Sequence, residues 1–471
     1  MQVRNILLAL TGALLFASCL KDKSNNDIHP VNEATTDING QSITVYQFDT
    51  LRVASNLKLN GVSAGAVKYS WVLYPYGTSL DKYVLDSTVD LKKMISVQAG
   101  TYYLDMYAKD TTTGIITRAK LNVKVVSPFN EGWLVLEKGA ASSDISLIDT
   151  RDSAFHNIYS KANPLVPLSP SMQNISVFKR GATQYIYALA KDGGTQINSS
   201  SFLANGSMSD WFFVMPAKDR NCQVYMANSM NESMIVSGKP YQLSLMVPAP
   251  YKLGLAPQNN DFYMLPYDLS SMMMGAIYYD SIHQHFNVMD MYSPELSVLP
   301  PPDNGAAFDF NNVNKRLLWA DKQPTEIAYC LFANNNDDSL FVYRFQSYGP
   351  YSTALDVMNV INAPGLSSAS AYKVSAALPH IYYAKDNILY LHDVPAGKSR
   401  QVFAFPAGTT VAAINMYGKN TGRLVVGVND AGGGSVYLFD IASTGDFMGA
   451  TYSKVLKGFG TIKNLIYKPA P

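Results

Sequence analysis

The residues of this sequence that could perform chemistry are few and widely spaced. His283 and His285 have strand spacing, which would place both imidazole rings on one face of a strand, and such a pair could hold a metal ion. The spacing indicates no third ligand, although Asp280 and Asp290 are near in the sequence. A solvent-facing hairpin would give the same pattern, so we predict no metal site and no cofactor.

Catalytic motifs give no positive assignment. No HExxH, CxxC or P-loop pattern occurs, which removes the metalloprotease, zinc-ribbon and nucleotide-binding classes. A serine-hydrolase nucleophile needs a strand–turn–helix context, which the strand-rich pattern of this chain does not offer. Paired carboxylates for glycoside hydrolysis come from distant segments, and the 36 acidic residues supply many candidate pairs. We therefore name no catalytic residue.

Aromatic residues are the most informative feature for binding. The chain has 31 Tyr, 20 Phe and 4 Trp, and those that alternate along strands are assigned to packing. Three segments break the alternation, and an exposed aromatic ring there could stack on a sugar face or grip a peptide side chain. For each segment, loop anchoring or a subunit contact is the alternative. The candidate ligand-binding residues are Tyr74, Tyr76, Trp211, Phe213, Tyr348 and Tyr351.

The charge balance excludes two classes of partner. The 37 basic and 36 acidic side chains leave a formal net charge of +1. No bulk field would hold nucleic acid or an anionic membrane, so we predict no nucleic-acid partner. Because charged residues make up only 15% of the 471 residues, most of the chain should be ordered.

The segments that must position these residues have the sequence pattern of β-strands. Short runs rich in Val, Ile, Tyr, Phe and Thr alternate with clusters of Gly, Asn, Asp and Ser that suit tight turns. The pattern predicts an all-β fold. Residues 30–127 have the size of an immunoglobulin-like β-sandwich, with Trp71 as its core anchor and a boundary near Pro128.

Residues 128–471 hold a weak repeat of hairpins. An apolar strand, a polar turn and an aromatic strand recur, as in residues 381–393 and 423–440. Four-stranded blades take about 40–50 residues each, so the segment would hold about seven of them. We predict a β-propeller of about seven blades, and two consecutive sandwiches are the alternative.

The N-terminus predicts export and anchoring. Residues 1–18 combine Arg4 with an apolar run that is too short to span a membrane, and they read as a signal peptide. The end of this segment, Ala17-Ser18-Cys19, resembles the lipobox of bacterial lipoproteins, in which the cysteine thiol carries a diacylglycerol. We predict lipidation of Cys19 and a polar tether over residues 19–29. A plain secretory signal is the alternative.

Two cysteines remain after the lipobox, Cys222 and Cys330. They could pair in an oxidising compartment or stay as buried thiols. We favour two separate buried thiols, because strand cores often hold free cysteine.

Several segments resemble the PKD-like lipoproteins of Bacteroidota. They are Tyr69-Ser-Trp71, Ala99-Gly-Thr-Tyr-Tyr103, the junction from Val126 to Leu136, and the C-terminal strands around Val426 and Leu438. Those proteins join a lipobox, a PKD/immunoglobulin-like module and a carboxy-terminal propeller-like region. The resemblance brings no catalytic residues with it.

The resemblance implies a non-enzymatic accessory lipoprotein, exposed on the surface of the outer membrane and held there by its lipid anchor. Its partner would be a SusC/SusD-type importer, and its ligand would be a glycan or peptide nutrient. The alternatives are a propeller-type glycan-active enzyme and a surface adhesin or structural module.

Overall fold

The computed structural model describes residues 33–77, 82–216, 220–227, 231–245, 248–254, 261–271, 275–289, 295–302, 305–417 and 422–471. The chain divides into two compact units, Met1–Ser127 and Pro128–Pro471. The predicted signal peptide, the lipidation site Cys19 and the tether lie outside the described residues. Within those residues, no helix has the length and apolar character needed to cross a bilayer.

The first unit is a β-sandwich. Its larger sheet has five strands, which in spatial order are Ser42–Tyr46, Ile116–Val126, Gly100–Asp110, Val67–Pro75 and Tyr83–Asp86. The first two of these strands are parallel and the other neighbours are antiparallel. Two small sheets pair Thr50–Val53 with Leu91–Met94 and Glu33–Thr35 with Lys58–Asn60, and a 3-10 turn spans Ala64–Ala66.

Alternation with a period of two builds the core of this sandwich. In the strand Val67–Pro75, Trp71 and Leu73 are fully buried, whereas their neighbours Val72 and Tyr74 are only half-buried on the other face. The indole N–H of Trp71 donates to the carbonyl of Thr88 at 2.9 Å, which satisfies the polar atom of the ring inside the core. The prediction that Trp71 is a core anchor is confirmed.

The second unit contains seven sheets in the part of the chain that the structure describes, and we number them blades 1 to 7. Blade 1 contains Gly132–Lys138, Ser143–Asp149, Ala154–Phe155 and Thr461–Lys468; blade 2 contains Met172–Arg180, Thr183–Ala190, Gly193–Asn198 and Ala204–Ser207; blade 3 contains Cys222–Ala227, Asn231–Val236 and Lys239–Ser244; blade 4 contains Ala276–Asp280, His285–Met289 and Leu296–Val298.

The remaining blades have four strands each. Blade 5 contains Arg316–Lys322, Ile327–Ala333, Leu340–Gln346 and Thr353–Asn359; blade 6 contains Ala371–Val374, His380–Lys385, Ile388–Asp393 and Lys398–Ala404; blade 7 contains Thr410–Met416, Arg423–Asp430, Gly433–Asp440 and Lys454–Phe459. Helical segments are short: α-helices span Ile158–Ala162 and Met208–Trp211, and 3-10 turns span Leu366–Ser368 and Met448–Ala450.

The blades close into a ring. The C-terminal strand Thr461–Lys468 pairs antiparallel with Gly132–Lys138, so the end of the chain completes blade 1. A separate hydrophobic core lies between each blade and the next in chain order. A seventh core joins blade 7 to blade 1 through Val135, Val425 and Leu438. Seven sheets whose faces pack in a closed cycle form a seven-bladed β-propeller, so the alternative of two consecutive sandwiches is wrong.

Both cysteines of the propeller are free thiols. Cys222 lies in blade 3 and Cys330 in blade 5, and each is fully buried. Burial raises the pKa of the Cys222 thiol to about 12 and raises that of Cys330 well above its ordinary value. The expectation of two separate buried thiols is confirmed.

Candidate functional site

The six candidate aromatic residues lie in three places. Tyr74 and Tyr76 lie at the end of one strand of the sandwich, and Tyr76 is 63% exposed. Phe213, Tyr348 and Tyr351 are exposed on the propeller. The sixth residue, Trp211, is only 4% exposed and belongs to a core.

Trp211 closes the packing between blades 2 and 3. Its ring meets Tyr187 edge-on with centroids 4.6 Å apart. The approach to the neighbouring strand is so close that a Cβ on Gly194 would lie 2.7 Å from the indole. A ring packed in this way has no face to offer a ligand, so Trp211 is withdrawn from the candidate binding residues.

Tyr74 and Tyr76 belong to a larger surface on the outer side of the five-stranded sheet. Antiparallel pairing places Tyr74 opposite Tyr103, and Tyr107 opposite Arg118. We call this surface the tyrosine–cation face. It is defined by the outward residues of three strands and by Tyr76, which directly follows one of them: Lys68, Ser70, Val72, Tyr74, Tyr76, Tyr103, Asp105, Tyr107, Lys109, Ile116, Arg118 and Lys120.

Asp105 is the polar centre of the tyrosine–cation face. Its Oδ2 accepts hydrogen bonds from the hydroxyl of Tyr74 at 2.9 Å, the hydroxyl of Tyr107 at 3.0 Å and the guanidinium of Arg118 at 2.6 Å. The residue is 1% exposed, and its Oδ1 has no hydrogen-bond partner among the described residues. Buried acceptors are normally paired, so this enclosed oxygen is an exception to that rule.

The electrostatics of this centre fix the protonation of its neighbours. The hydrogen bond to Asp105 raises the pKa of Arg118, which therefore stays charged. Burial, together with the hydrogen bond to the same carboxylate, raises the pKa of Tyr107, which therefore stays a neutral donor. The centre is thus a carboxylate held by one cation and two phenols.

A platform of tyrosine rings adjoins this centre. The ring centroid of Tyr103 lies 5.6 Å from that of Tyr74 and 5.1 Å from that of Tyr76. The ammonium of Lys120 lies 4.2 Å from the centroid of Tyr103, in cation–π range. Aromatic rings held in this way could stack on the apolar face of a ligand.

A cavity of about 570 Å³ opens over the same sheet. Its lining includes four cationic side chains, Lys68, Lys82, Lys109 and Arg118, and a single carboxylate, Asp105. The positive excess suits an anionic ligand. Glycoside hydrolysis requires a pair of carboxyl groups, which this lining does not supply from its described residues.

The propeller has an exposed groove of about 560 Å³. Tyr351 lines it together with Phe310 and the run Pro300 to Pro302. The ring of Tyr348 lies 6.3 Å from that of Tyr351, between centroids, whereas Phe213 does not line this groove. Among the described residues of its lining, the groove combines apolar side chains with Ser352 and Thr353 and has no charged side chain.

The innermost strands of the propeller line a polar cavity of about 370 Å³, with Asp268 and Asp321 among its acids. Asp321 forms an ion pair with Lys373 at 2.8 Å and accepts the backbone N–H of Val374 at 3.1 Å. Asp268 accepts the backbone N–H of Ser270 at 3.1 Å. Both acids are used in holding the strands and loops together, so neither is assigned a catalytic role.

The histidine pair lies in the first hairpin of blade 4. His283 is in the turn rather than in a strand, and Gln284 has a positive φ of 54°. The rings of His283 and His285 nevertheless stack, with centroids 5.5 Å apart. The turn also brings Asp280 to within 2.6 Å of the Nδ1 of His283. Asp280 is the third potential ligand that the sequence spacing did not indicate.

The pentapeptide Gly61-Val-Ser-Ala-Gly65 has the GxSxG form of a hydrolase nucleophile elbow. In the structure it follows the short strand Lys58–Asn60 and enters a 3-10 turn of the sandwich. Ser63 has extended backbone angles, with φ −70° and ψ 130°, and is exposed. A nucleophile elbow is a strained strand-to-helix turn, so Ser63 is not assigned as a nucleophile.

Comparison with known proteins gives a family for the first part of the chain. Residues 19–164 match the PKD-like family. The match covers the PKD-like sandwich and continues into the first strands of the propeller. No curated protein matches this chain.

Solved structures resemble this chain at low sequence identity. A quinonprotein alcohol dehydrogenase-like protein from Bacteroides thetaiotaomicron is 13% identical, covers 88% of this chain and 96% of its own, and has a TM-score of 0.40. A protein from Lactobacillus plantarum is 12% identical, covers 72% and 99%, and has a TM-score of 0.46. An oligogalacturonate lyase in complex with manganese is 8% identical, covers 74% and 95%, and has a TM-score of 0.43. The fold assignment rests on the sheet order and the ring of packed cores.

Sequence reasoning found part of the face of the PKD-like sandwich and missed the rest. Tyr74 and Tyr76 stood out because Pro75 interrupts the alternation. Tyr103, Asp105 and Arg118 alternate like packing residues, so the sequence did not mark them as binding residues. The pairing register of the strands is what brings them together.

Proposed function

We propose that this protein is a non-enzymatic outer-membrane lipoprotein that binds an acidic glycan on its tyrosine–cation face as an accessory to a SusC/SusD-type importer. The observation that carries the proposal is the platform formed by the rings of Tyr76 and Tyr103 beside the guanidinium of Arg118, whose side chain is 49% exposed. The buried carboxylate of Asp105 accepts hydrogen bonds from Tyr74, Tyr107 and Arg118 and so fixes the orientation of these side chains. A surface held in this way can bind a ligand without first being ordered.

The chemistry of the face favours a sugar over a peptide. A pyranose ring offers hydroxyl groups on its edge and an apolar C–H surface on its face. A hydroxyl could accept a hydrogen bond from the half-exposed guanidinium of Arg118, while the ring stacks on Tyr76 or Tyr103. A peptide backbone offers no pyranose face to the tyrosine platform.

The charge of the face favours an acidic sugar. Four cations and one carboxylate line the cavity, and Arg118 is the cation that Asp105 neutralises. Three ammonium groups are then left to form ion pairs with the carboxylates of a polyuronate, those of Lys68, Lys82 and Lys109. Because these lysines lie at the surface, their attraction should weaken as salt is added.

The anchor and the partner rest on the sequence. The apolar leader, its small residues before Cys19 and the family resemblance support a lipid-anchored protein at the cell surface. Acyl-chain labelling of the wild-type protein and of C19A should give a lipidated and an unlipidated product respectively. A mild-detergent pulldown of the wild-type protein should recover an outer-membrane importer. Repeated recovery of the protein alone would contradict the accessory role.

Binding is tested by calorimetry on the full chain with polygalacturonate and with neutral dextran. We expect saturable binding of polygalacturonate that weakens with salt, and no binding of dextran. Y76A should lower the affinity by at least about tenfold, or about 1.4 kcal/mol. Y351A is the matched control, because it also removes an exposed tyrosine, 68% exposed, but from the propeller groove.

The outcomes separate the two surfaces. If Y351A abolishes binding and Y76A does not, the propeller groove is the binding site and the assignment of the tyrosine–cation face is wrong. Release of new reducing ends from the glycan would show an enzyme instead. Tighter binding of acidic peptides than of any glycan would overturn the ligand class.

A further inference from the structure

We propose that the first hairpin turn of blade 4 binds a divalent transition-metal ion through Asp280, His283 and His285. Each of the three residues offers one ligand atom, and these atoms lie within 4.8 Å of one another. Ligand bonds of about 2.0–2.2 Å place two ligands of one zinc ion roughly 3–4 Å apart. The three groups therefore reach one ion by small side-chain rotations.

The carboxylate of Asp280 is already oriented for this task. Its Oδ1 accepts the backbone N–H groups of Tyr263 and Ile282, each at 3.0 Å. This leaves Oδ2 to face His283 at 2.6 Å. Ligands whose remaining atoms are fixed by hydrogen bonds are typical of protein metal sites.

Backbone hydrogen bonds on both sides hold the turn that carries His283. Gln284 is held in the left-handed region, and its N–H donates to the carbonyl of Asp280 at 2.9 Å. The carbonyl of Gln284 accepts the N–H of Asn314 at 3.1 Å. A preorganised turn loses little conformational entropy when an ion binds.

The local charge also favours a cation. Asp261 adds a second carboxylate, whose Oδ2 lies 3.5 Å from the Nε2 of His283. The ammonium of Lys239, the cation near these carboxylates, donates to the carbonyl of Phe262 at 2.6 Å. The side chain of His283 is 43% exposed, so an ion can reach it from solvent.

The donor set selects the class of metal. Two imidazoles and a carboxylate suit Zn²⁺, Co²⁺, Ni²⁺ or Cu²⁺ better than Mg²⁺ or Ca²⁺, which prefer oxygen ligands. The proposal is independent of glycan binding, which uses the sandwich.

The test uses the full chain carrying a purification tag without histidine, after dialysis against a chelator. Titration with Zn²⁺ should show one equivalent bound per chain, and Co²⁺ should give visible absorption bands from bound metal. Zn²⁺ should raise the Tm of the wild-type protein. H285Q and H283Q should each weaken Zn²⁺ binding by at least about tenfold.

H156Q is the matched control, because it removes a half-buried histidine that packs on Phe459 in another part of the propeller. It should bind Zn²⁺ as the wild-type protein does. Circular dichroism of each variant checks that it is folded. D280N is a third variant, and its amide oxygen can still accept the backbone N–H groups that Asp280 accepts. Absence of stoichiometric binding to the wild-type chain, or equal binding by folded H285Q and H156Q, would overturn the site.

Discussion

At the scale of single residues, the fold buries charged groups and stabilises them unequally. Asp105 in the sandwich has Arg118 as a counter-ion at 2.6 Å. Lys468 in blade 1 is fully buried, and its ammonium donates to the carbonyl of Asn130 at 2.6 Å. Burial lowers the pKa of Lys468 to about 8, and the negative charge of Glu131 offsets only part of that shift.

This burial predicts that the propeller becomes more stable as the pH rises from about 8 to about 10. In that window the unfolded chain still binds the lysine proton, at an ordinary pKa of 10.5, whereas the folded chain has released it. K468M should remove roughly 1–2 kcal/mol of this pH dependence. Urea denaturation near pH 7.5 and 9.5 measures it.

The control for this prediction is K457M, which removes an exposed lysine from blade 7. It should keep the wild-type rise in the free energy of unfolding. A rise of the same size in K468M would show that another group titrates.

At the scale of elements, one strand determines whether the propeller closes. Thr461–Lys468 is the last strand in the sequence and lies beside Gly132–Lys138, at the start of the propeller. Ile462 and Leu465 on this strand contribute to the core between blades 7 and 1. Closure therefore joins the two ends of the propeller segment.

We predict that a chain ending at Phe459 does not form the closed propeller. The truncation removes the pairing with Gly132–Lys138 and exposes the core between blades 7 and 1. Limited proteolysis should degrade the propeller at a protease concentration that the full chain survives. Removal of residues 470–471 alone is the control, since these residues are exposed and follow the last strand. Equal protease resistance of the two truncations would contradict the closure argument.

Elements were predicted well where alternation was regular. The strand carrying Trp71 and the hairpins of blades 6 and 7 followed from apolar alternation and turn residues. The first hairpin of blade 4 was the harder case, because His283 and His285 have strand spacing but lie across a turn. The left-handed conformation of Gln284 is a property of the turn that residue spacing alone does not predict.

At the scale of the whole molecule, each unit has its own core. The buried cluster of the sandwich draws its residues from between Ile38 and Val125. The seven clusters of the propeller lie between successive blades. Each unit therefore has what it needs to fold by itself.

We predict that residues 30–127, expressed alone, fold and retain binding of polygalacturonate. The tyrosine–cation face is built entirely from strands of the sandwich, so removal of the propeller leaves every one of its contacts in place. Residues 128–471 alone should not bind. Calorimetry on both fragments tests this, and binding by the propeller fragment only would assign the ligand to the propeller.

The number of blades was predicted because it follows from length divided by the size of a repeat. The binding surface was predicted only in part, because the exposed side of a sheet depends on what covers the other side. Trp211 shows the same limit. Its segment broke the alternation, as an exposed loop does, but the helix Met208–Trp211 places the indole ring inside a hydrophobic core.

The buried thiols of blades 3 and 5 have a practical consequence. Maleimides react with the thiolate, which neither Cys222 nor Cys330 offers at neutral pH. A chain that begins after Cys19 should therefore not react with maleimide dyes, and no substitution is needed to achieve this. One new cysteine at an exposed position in each unit would then take up a label, and distance measurements between the two units need no removal of native residues.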